Sequence, residues 1–237
     1  MSELIAFIGI GNMGNPMAEN LVKAGKKVRV FDVSSEMIEK AKEKNFDIAN
    51  SIDDLLKDSV STVITMLPAG KHSKEVYLGK GGIINKVSKD CLLIDCSTID
   101  IKTSVEIATK AKEKEIKMID APVSGGVMGA KNATLTFLVG GSKDAFNLAK
   151  PLLEIMGKNI FHAGELGCGN GAKICNNMAL GISMIGASEA LMLAKRLNID
   201  IKKVHEIMKS ASGNSWPISV YPPLPGLKEG VPSNNKY

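Results

Sequence analysis

The chain has 237 residues, 44% hydrophobic and 23% charged, with a net charge of +5, which is enough apolar material for one large or two modest globular cores. Only Arg29 and Arg196 are arginines, and the lysines alternate with glutamates, as in residues 36–44, so the positive balance reads as solvated helix faces rather than a nucleic-acid stripe. Aromatics, at 4%, are too sparse for base stacking, and the four cysteines form no C-x-x-C and have no histidine at metal-ligand spacing. Reduced thiols and no metal are expected.

An apolar strand opens the chain at residues 4–8 and runs into Gly9, Gly11 and Gly14. This G-x-G-x-x-G sits where a strand stops and a helical pattern starts, the setting in which the spacing signals a dinucleotide. The first glycine permits a tight turn, the second lets the backbone approach a pyrophosphate, and the third lets helix and strand pack closely. A helix over 12–24 is predicted, with Asn12 as its cap and Gly25 as its stop. The next apolar run ends at Asp32, an acid placed to bond a ribose 2′-hydroxyl and to repel a 2′-phosphate, which favours NAD over NADP.

Charged amphipathic helices are predicted at 34–44 and 51–57, the latter capped by Ser51. A strand at 60–67 stops at Pro68, a helix covers 72–78, and a buried strand at 91–96 ends in Ser97-Thr98. A helix at 102–114, a strand at 116–120, a loop at 121–129, a strand at 134–139, a helix at 142–156 and a last strand at 159–163 complete the alternation. Strand alternating with helix predicts a doubly wound, mainly parallel sheet, with ligands at the carboxyl ends of its strands. The expected first domain is residues 1–163.

After residue 164 the pattern becomes all-helical, with helices at 169–196 and 201–210 and an irregular, proline-rich tail from 211. The apolar stretch 178–194, interrupted by Glu189, is read as a buried core helix rather than a membrane span. The first residues enter the opening strand directly, which leaves no room for a targeting segment and points to a cytoplasmic protein, or a mitochondrial one if a leader has been removed.

Lys173 is the sharpest candidate for acid–base chemistry. It is the one cation between Gly167 and Lys195, on a helix otherwise apolar or amide-bearing, so it must snorkel out or point into a site. Asn177 lies one turn later on the same face. Ser124, Gly125 and Gly126 could cradle a carboxylate with backbone N–H groups and a hydroxyl. Ser97 and Thr98 are read first as helix caps, and His72, His162 and His205 as structural or surface residues.

The segments GIGNMGNPMAENL, ITMLPA, LLIDCSTID, MIDAPVSGGVMGA, LTFLVGG and GAKICNNM, in this order, resemble the β-hydroxyacid dehydrogenases over essentially the whole chain. The resemblance implies a Rossmann-type domain followed by an all-α domain that continues beyond Tyr237, and dimers or tetramers where that domain is complete. It implies that Gly9, Ile10, Gly11, Asn12, Met13, Gly14 and Asp32 hold the adenosine half of NAD. Leu67, Pro68 and His72 would line the cofactor groove, with Thr98 near the nicotinamide. Ser124, Gly125 and Gly126 would bind the carboxylate of a small 3-hydroxy acid, Asn177 would position it, and Lys173 would be the catalytic acid/base. Asn176-Asn177 and the proline-rich segment after Val220 favour oxidation of 3-hydroxyisobutyrate in valine breakdown. A tartronate or succinic semialdehyde reductase of the same family, or a catalytically impaired dinucleotide-binding protein, are the alternatives.

Overall fold

The computed structural model describes residues 4–229; the predicted tail to Tyr237 lies partly outside them. A first compact unit runs to Lys173 and a second begins at Ile174. The division falls within a helix, whereas the expected boundary at 163/164 falls where the sheet ends.

The first unit alternates strand and helix: β1 (Leu4–Ile8), α1 (Gly14–Lys23), β2 (Lys27–Phe31), α2 (Ser35–Glu43), β3 (Asp47–Ile48), α3 (Ile52–Leu55), β4 (Val60–Thr65) and α4 (Gly70–Leu78). It continues with β5 (Leu92–Asp95), α5 (Ile101–Glu113), β6 (Lys117–Asp120), β7 (Val123–Ser124), α6 (Gly126–Lys131), β8 (Leu135–Gly140), α7 (Lys143–Met156) and β9 (Gly157–Gly164). The strand order is β3-β2-β1-β4-β5-β6-β8-β7, with β9 paired to β8. From β3 through β6 every pairing is parallel; β8 runs antiparallel to β6 and β7 and parallel to β9. The order reverses between β1 and β4, so the crevice beside β1 is the switch point at which such sheets bind ligands.

β1 is buried along its whole length because both of its faces are covered. Ile5 and Phe7 point into one core with Met17 and Leu21 of α1 and Leu153 of α7. Ala6 and Ile8 point into the other with Tyr77 of α4 and Ile107 of α5. Fully burying a side chain such as Phe7 or Ile5 contributes roughly 1.5–3 kcal/mol. Ser34, Ser51, Asp100 and Ser142 cap α2, α3, α5 and α7 through their side chains.

Several expectations are corrected. Asn12 does not cap α1: Met13 is already helical and α1 has no side-chain cap, because the turn begins at Gly11, whose carbonyl accepts from the Asn15 N–H at 3.0 Å. Ser97 and Thr98 do not cap α5; Asp100 does. The loop predicted at 121–129 contains β7 and leads into α6. β3 was unseen in the sequence, being two residues long.

Helix α8 (Cys168–Arg196) is continuous over 29 residues and crosses into the second unit, which also holds α9 (Ile201–Ser210) and a turn of helix, α10 (Trp216–Ser219), where only irregular chain is expected. Ala187, Leu191 and Ile218 form a small core there, and buried His205 bonds the Ile218 carbonyl at 2.8 Å. The expected buried stretch of α8 is instead largely exposed, with Met178 and Ile182 at 64% and Ile185 at 66%. Those positions lie away from the Ala187–Leu191 stripe, and no described residue covers them. By length and composition alone α8 could cross a bilayer.

Candidate active site

The carboxyl ends of β2, β1, β4, β5 and β6 lie side by side on one edge of the sheet, carrying in that order Asp32, the glycine turn, Leu67-Pro68, Ser97-Thr98 and Asp120. Most of the sequence-predicted cofactor residues are therefore brought to a single edge.

The glycine turn is built as the fingerprint requires. Gly9 has φ +91°, and a Cβ on it would lie 2.4 Å from the Met66 carbonyl oxygen. A Cβ on Gly14 would lie 1.9 Å from the Gly9 carbonyl oxygen, so α1 can meet β1 only through glycine. Gly11 is different: a Cβ there meets nothing within 4 Å. Its glycine is not needed by the protein's own packing, and the open space above it fits a pyrophosphate approaching the backbone. The uncapped first turn of α1 presents its N–H groups and positive dipole end there. Asp32 accepts from the Ile10 N–H and the Ser34 N–H, both at 2.8 Å, which locks the end of β2 to the glycine turn and orients its carboxylate. The residues present therefore fit NAD.

On the other side of the switch point, a buried network fixes the loops after β4 and β5. Thr65 Oγ1 donates to Asp95 Oδ1 at 2.8 Å and so accepts from the Tyr77 hydroxyl at 2.9 Å. The Ser97 N–H donates to the same Asp95 oxygen at 2.9 Å, and Ser97 Oγ accepts from the Leu67 N–H at 2.8 Å. Burial raises the Asp95 carboxyl above its ordinary range, while its bonds from Ser97 and Thr65 act in the opposite direction. Leu67 is half-buried, and Pro68, His72 and Thr98 are exposed along this rim.

Beyond β6, Ser124 ends β7, and Gly125 (φ +130°) and Gly126 (φ +60°) make a turn that side chains would strain. Both glycines are exposed, and a Cβ on Gly126 would meet nothing within 4 Å. The loop is tied to the cofactor side: Asn20 of α1 donates through Nδ2 to the Ala130 carbonyl of α6 at 2.7 Å.

Lys173 lies in the second turn of α8 and is 9% exposed, yet it makes no ion pair or hydrogen bond with any described residue. Its Nζ is not completely sealed from solvent, although the residue as a whole is buried. Burial lowers its pKa from the ordinary lysine value, which favours the neutral amine. Asn177 follows one turn later and is exposed. His162 bonds the Gly141 carbonyl at 2.7 Å, a structural role like that of His205. Among the described residues, no group of three or more His, Cys, Asp or Glu side chains is gathered for a metal. Sequence reasoning missed Asp95, Asp120 and Asn170. The one available signal was a polar residue at an otherwise apolar strand end or in a glycine-rich helix start.

A glycine turn at the switch point and an acid one strand over define a dinucleotide-binding protein of the dehydrogenase type. Family models agree: residues 4–164 match the NAD binding domain of 6-phosphogluconate dehydrogenase, and residues 167–225 match the NAD-binding of NADP-dependent 3-hydroxyisobutyrate dehydrogenase. The chain is 47% identical to a 3-hydroxyisobutyrate dehydrogenase of Pseudomonas aeruginosa over 98% of its own length and 78% of the relative's. It is 42% identical, with the same coverage of both chains, to an NAD-dependent L-serine dehydrogenase of that organism. A solved Mycobacterium tuberculosis 3-hydroxyisobutyrate dehydrogenase with L-serine superposes with a TM-score of 0.89 at 37% identity, covering 99% of this chain and 79% of that one. The chain belongs to the 3-hydroxyisobutyrate dehydrogenase family, and it is an NAD-dependent oxidoreductase.

Proposed function

We propose that this chain oxidises 3-hydroxyisobutyrate to methylmalonate semialdehyde, as in valine breakdown, with Lys173 as the group that handles the hydroxyl proton. The observation that carries the reading is Lys173 itself, buried, without a partner among the described residues and with its pKa lowered by burial. Burial shifts such an amine toward its neutral form, the form that can accept a proton.

Gly9 to Gly14 would hold the pyrophosphate, Asp32 the adenosine ribose, and Leu67, Pro68, His72 and Thr98 the path toward the reacting ring. Asp32 would also repel a 2′-phosphate, so NAD is preferred to NADP. Bound NAD supplies the hydride acceptor. The chain's own residues do the rest. Ser124 and the N–H groups of Gly125 and Gly126 bind the substrate carboxylate, and Asn177 orients the substrate. Nζ of Lys173, neutral, accepts the proton of the C3 hydroxyl as the carbonyl forms, and as an ammonium returns it in the reverse direction. Homo-oligomer formation belongs to the same reading and is checked by sedimentation velocity.

A second reading has support in the 42%-identical relative named an L-serine dehydrogenase: serine is also a 3-hydroxy acid. Steady-state oxidation of both acids with NAD and NADP separates the two. A kcat/KM for 3-hydroxyisobutyrate below that for L-serine overturns the first reading. Lys173→Ala should bind NAD normally and lose most of kcat; undiminished turnover removes Lys173 from the mechanism.

A further inference from the structure

Helix α8 brings no acid to its own first turn, and Gly167, just before it, has no side chain to cap it. The cap comes from far away in sequence. Asp120, fully buried at the end of β6, accepts from the Gly167 N–H through Oδ1 at 2.8 Å and from the Asn170 N–H through Oδ2 at 2.7 Å. Among the described residues it is the only side chain bonded to the N–H groups of this helix start. Asn170 is fully buried too: its Oδ1 accepts from the Ile99 N–H at 3.0 Å, and its Nδ2 reaches Ser104 Oγ of α5 at 3.5 Å. The close approach needs glycine on both sides. A Cβ on Gly140 would lie 2.3 Å from Asp120 Oδ1, and one on Gly169 would lie 2.4 Å from the Leu138 carbonyl oxygen.

We propose that Asp120 is a positioning residue: its carboxylate fixes the start of α8, and with it Lys173 one turn beyond Asn170, while its main chain leads directly into the Ser124 loop. One buried acid thus registers the proposed proton-transfer group against the proposed carboxylate cradle. The inference rests on the reading of Lys173 as the acid/base. A carboxylate at a helix N-terminus also offsets the positive end of the dipole, which otherwise favours an uncharged amine in the first turns. The other ionisable side chains at this helix start, Glu165 and Cys168, make no hydrogen bond to its N–H groups.

Competitive acetylation of the full 237-residue chain with acetic anhydride, read at Lys173 by mass spectrometry across pH, tests this without requiring turnover. In Asp120→Asn the labelling midpoint of Lys173 should fall by about half a pH unit and its labelling below the midpoint should rise about threefold, with the other lysines unchanged. Ser51→Ala, which removes the side-chain cap of α3, should lower the melting temperature and leave the Lys173 profile as in the wild type. Asn170→Ser keeps the main-chain bonds to Asp120 but removes the Nδ2 contact with Asp120 Oδ2 at 3.4 Å and frees the Ile99 N–H; it should shift Lys173 in the same direction by less, and it decides the matter if Asp120→Asn does not fold. A wild-type Lys173 profile in the folded variants overturns the positioning role. Wild-type turnover by Lys173→Ala overturns the acid/base reading instead, with the labelling result unaffected.

Discussion

Replacing Gly11 by alanine separates ligand binding from folding, because the added methyl meets no protein atom within 4 Å and the backbone there has no positive φ. The folded chain should tolerate it, and replacing glycine slightly favours the folded state by restricting the unfolded one. The methyl instead occupies the space through which a pyrophosphate must approach. Losing one hydrogen bond between a backbone N–H and the charged pyrophosphate costs about 1.5–3 kcal/mol, so the Kd for NAD should rise by roughly ten- to a hundredfold. Gly14→Ala is the contrasting perturbation. Its methyl would stand 1.9 Å from the Gly9 carbonyl oxygen, so strand and helix must move apart and stability should fall along with NAD affinity. Isothermal titration with NAD and a thermal melt of each variant suffice. Wild-type affinity in Gly11→Ala, or a melting temperature depressed as far as in Gly14→Ala, would refute the assignment of this turn.

Asp32→Asn keeps one of the two acceptors for the Ile10 and Ser34 N–H groups but removes the charge, so the ratio of kcat/KM with NAD to that with NADP should fall by about tenfold, ~1.4 kcal/mol. Lys173→Met should raise the melting temperature at pH 7. The folded-state pKa of Lys173 lies below its unfolded value, so the charged lysine costs stability at neutral pH, and the advantage of methionine should shrink as pH rises toward the ordinary lysine range. Burial pushes the Cys91 thiol up to about 12 and also raises the Cys96 thiol well above the ordinary range, whereas Cys168 and Cys175 are exposed. A thiol reagent should therefore modify Cys168 and Cys175 in the folded chain and reach the other two only on unfolding.

The parts of this molecule legible in its sequence are those governed by neighbours along the chain. Gly9, Gly11 and Gly14 announced the turn because strand, turn and helix are contiguous, and Ser51 announced its helix because a cap bonds three residues ahead. The alternation of strand with helix along the chain pointed to the parallel sheet for the same reason. What escaped depends on distant partners. The bond from Asn170 to Asp120 spans fifty positions, and nothing near Asp120 distinguishes it from Asp95, which ends the adjacent strand. The two-residue β3 owes its existence to Arg29 and Val30 of β2 rather than to its own propensity. The exposure of Met178, Ile182 and Ile185 could not be read from a helix whose apolar residues surround it on several sides. Lys173 was legible as an anomaly of charge on such a helix, but its burial was not.

The bare end of α1 has a consequence for the chain's economy. Helices α2, α5 and α7 bring a serine or aspartate side chain to their first turns; α1, like α4, does not, and at the switch point its free donors face the space a pyrophosphate would take. A helix finished by its ligand makes the folded population a function of nucleotide supply: at a hundred times its dissociation constant, a ligand that binds only the folded state adds ~2.7 kcal/mol. That is a sizeable fraction of the ~5–15 kcal/mol by which a domain is held. The melting temperature of the folded chain should therefore climb with NAD concentration.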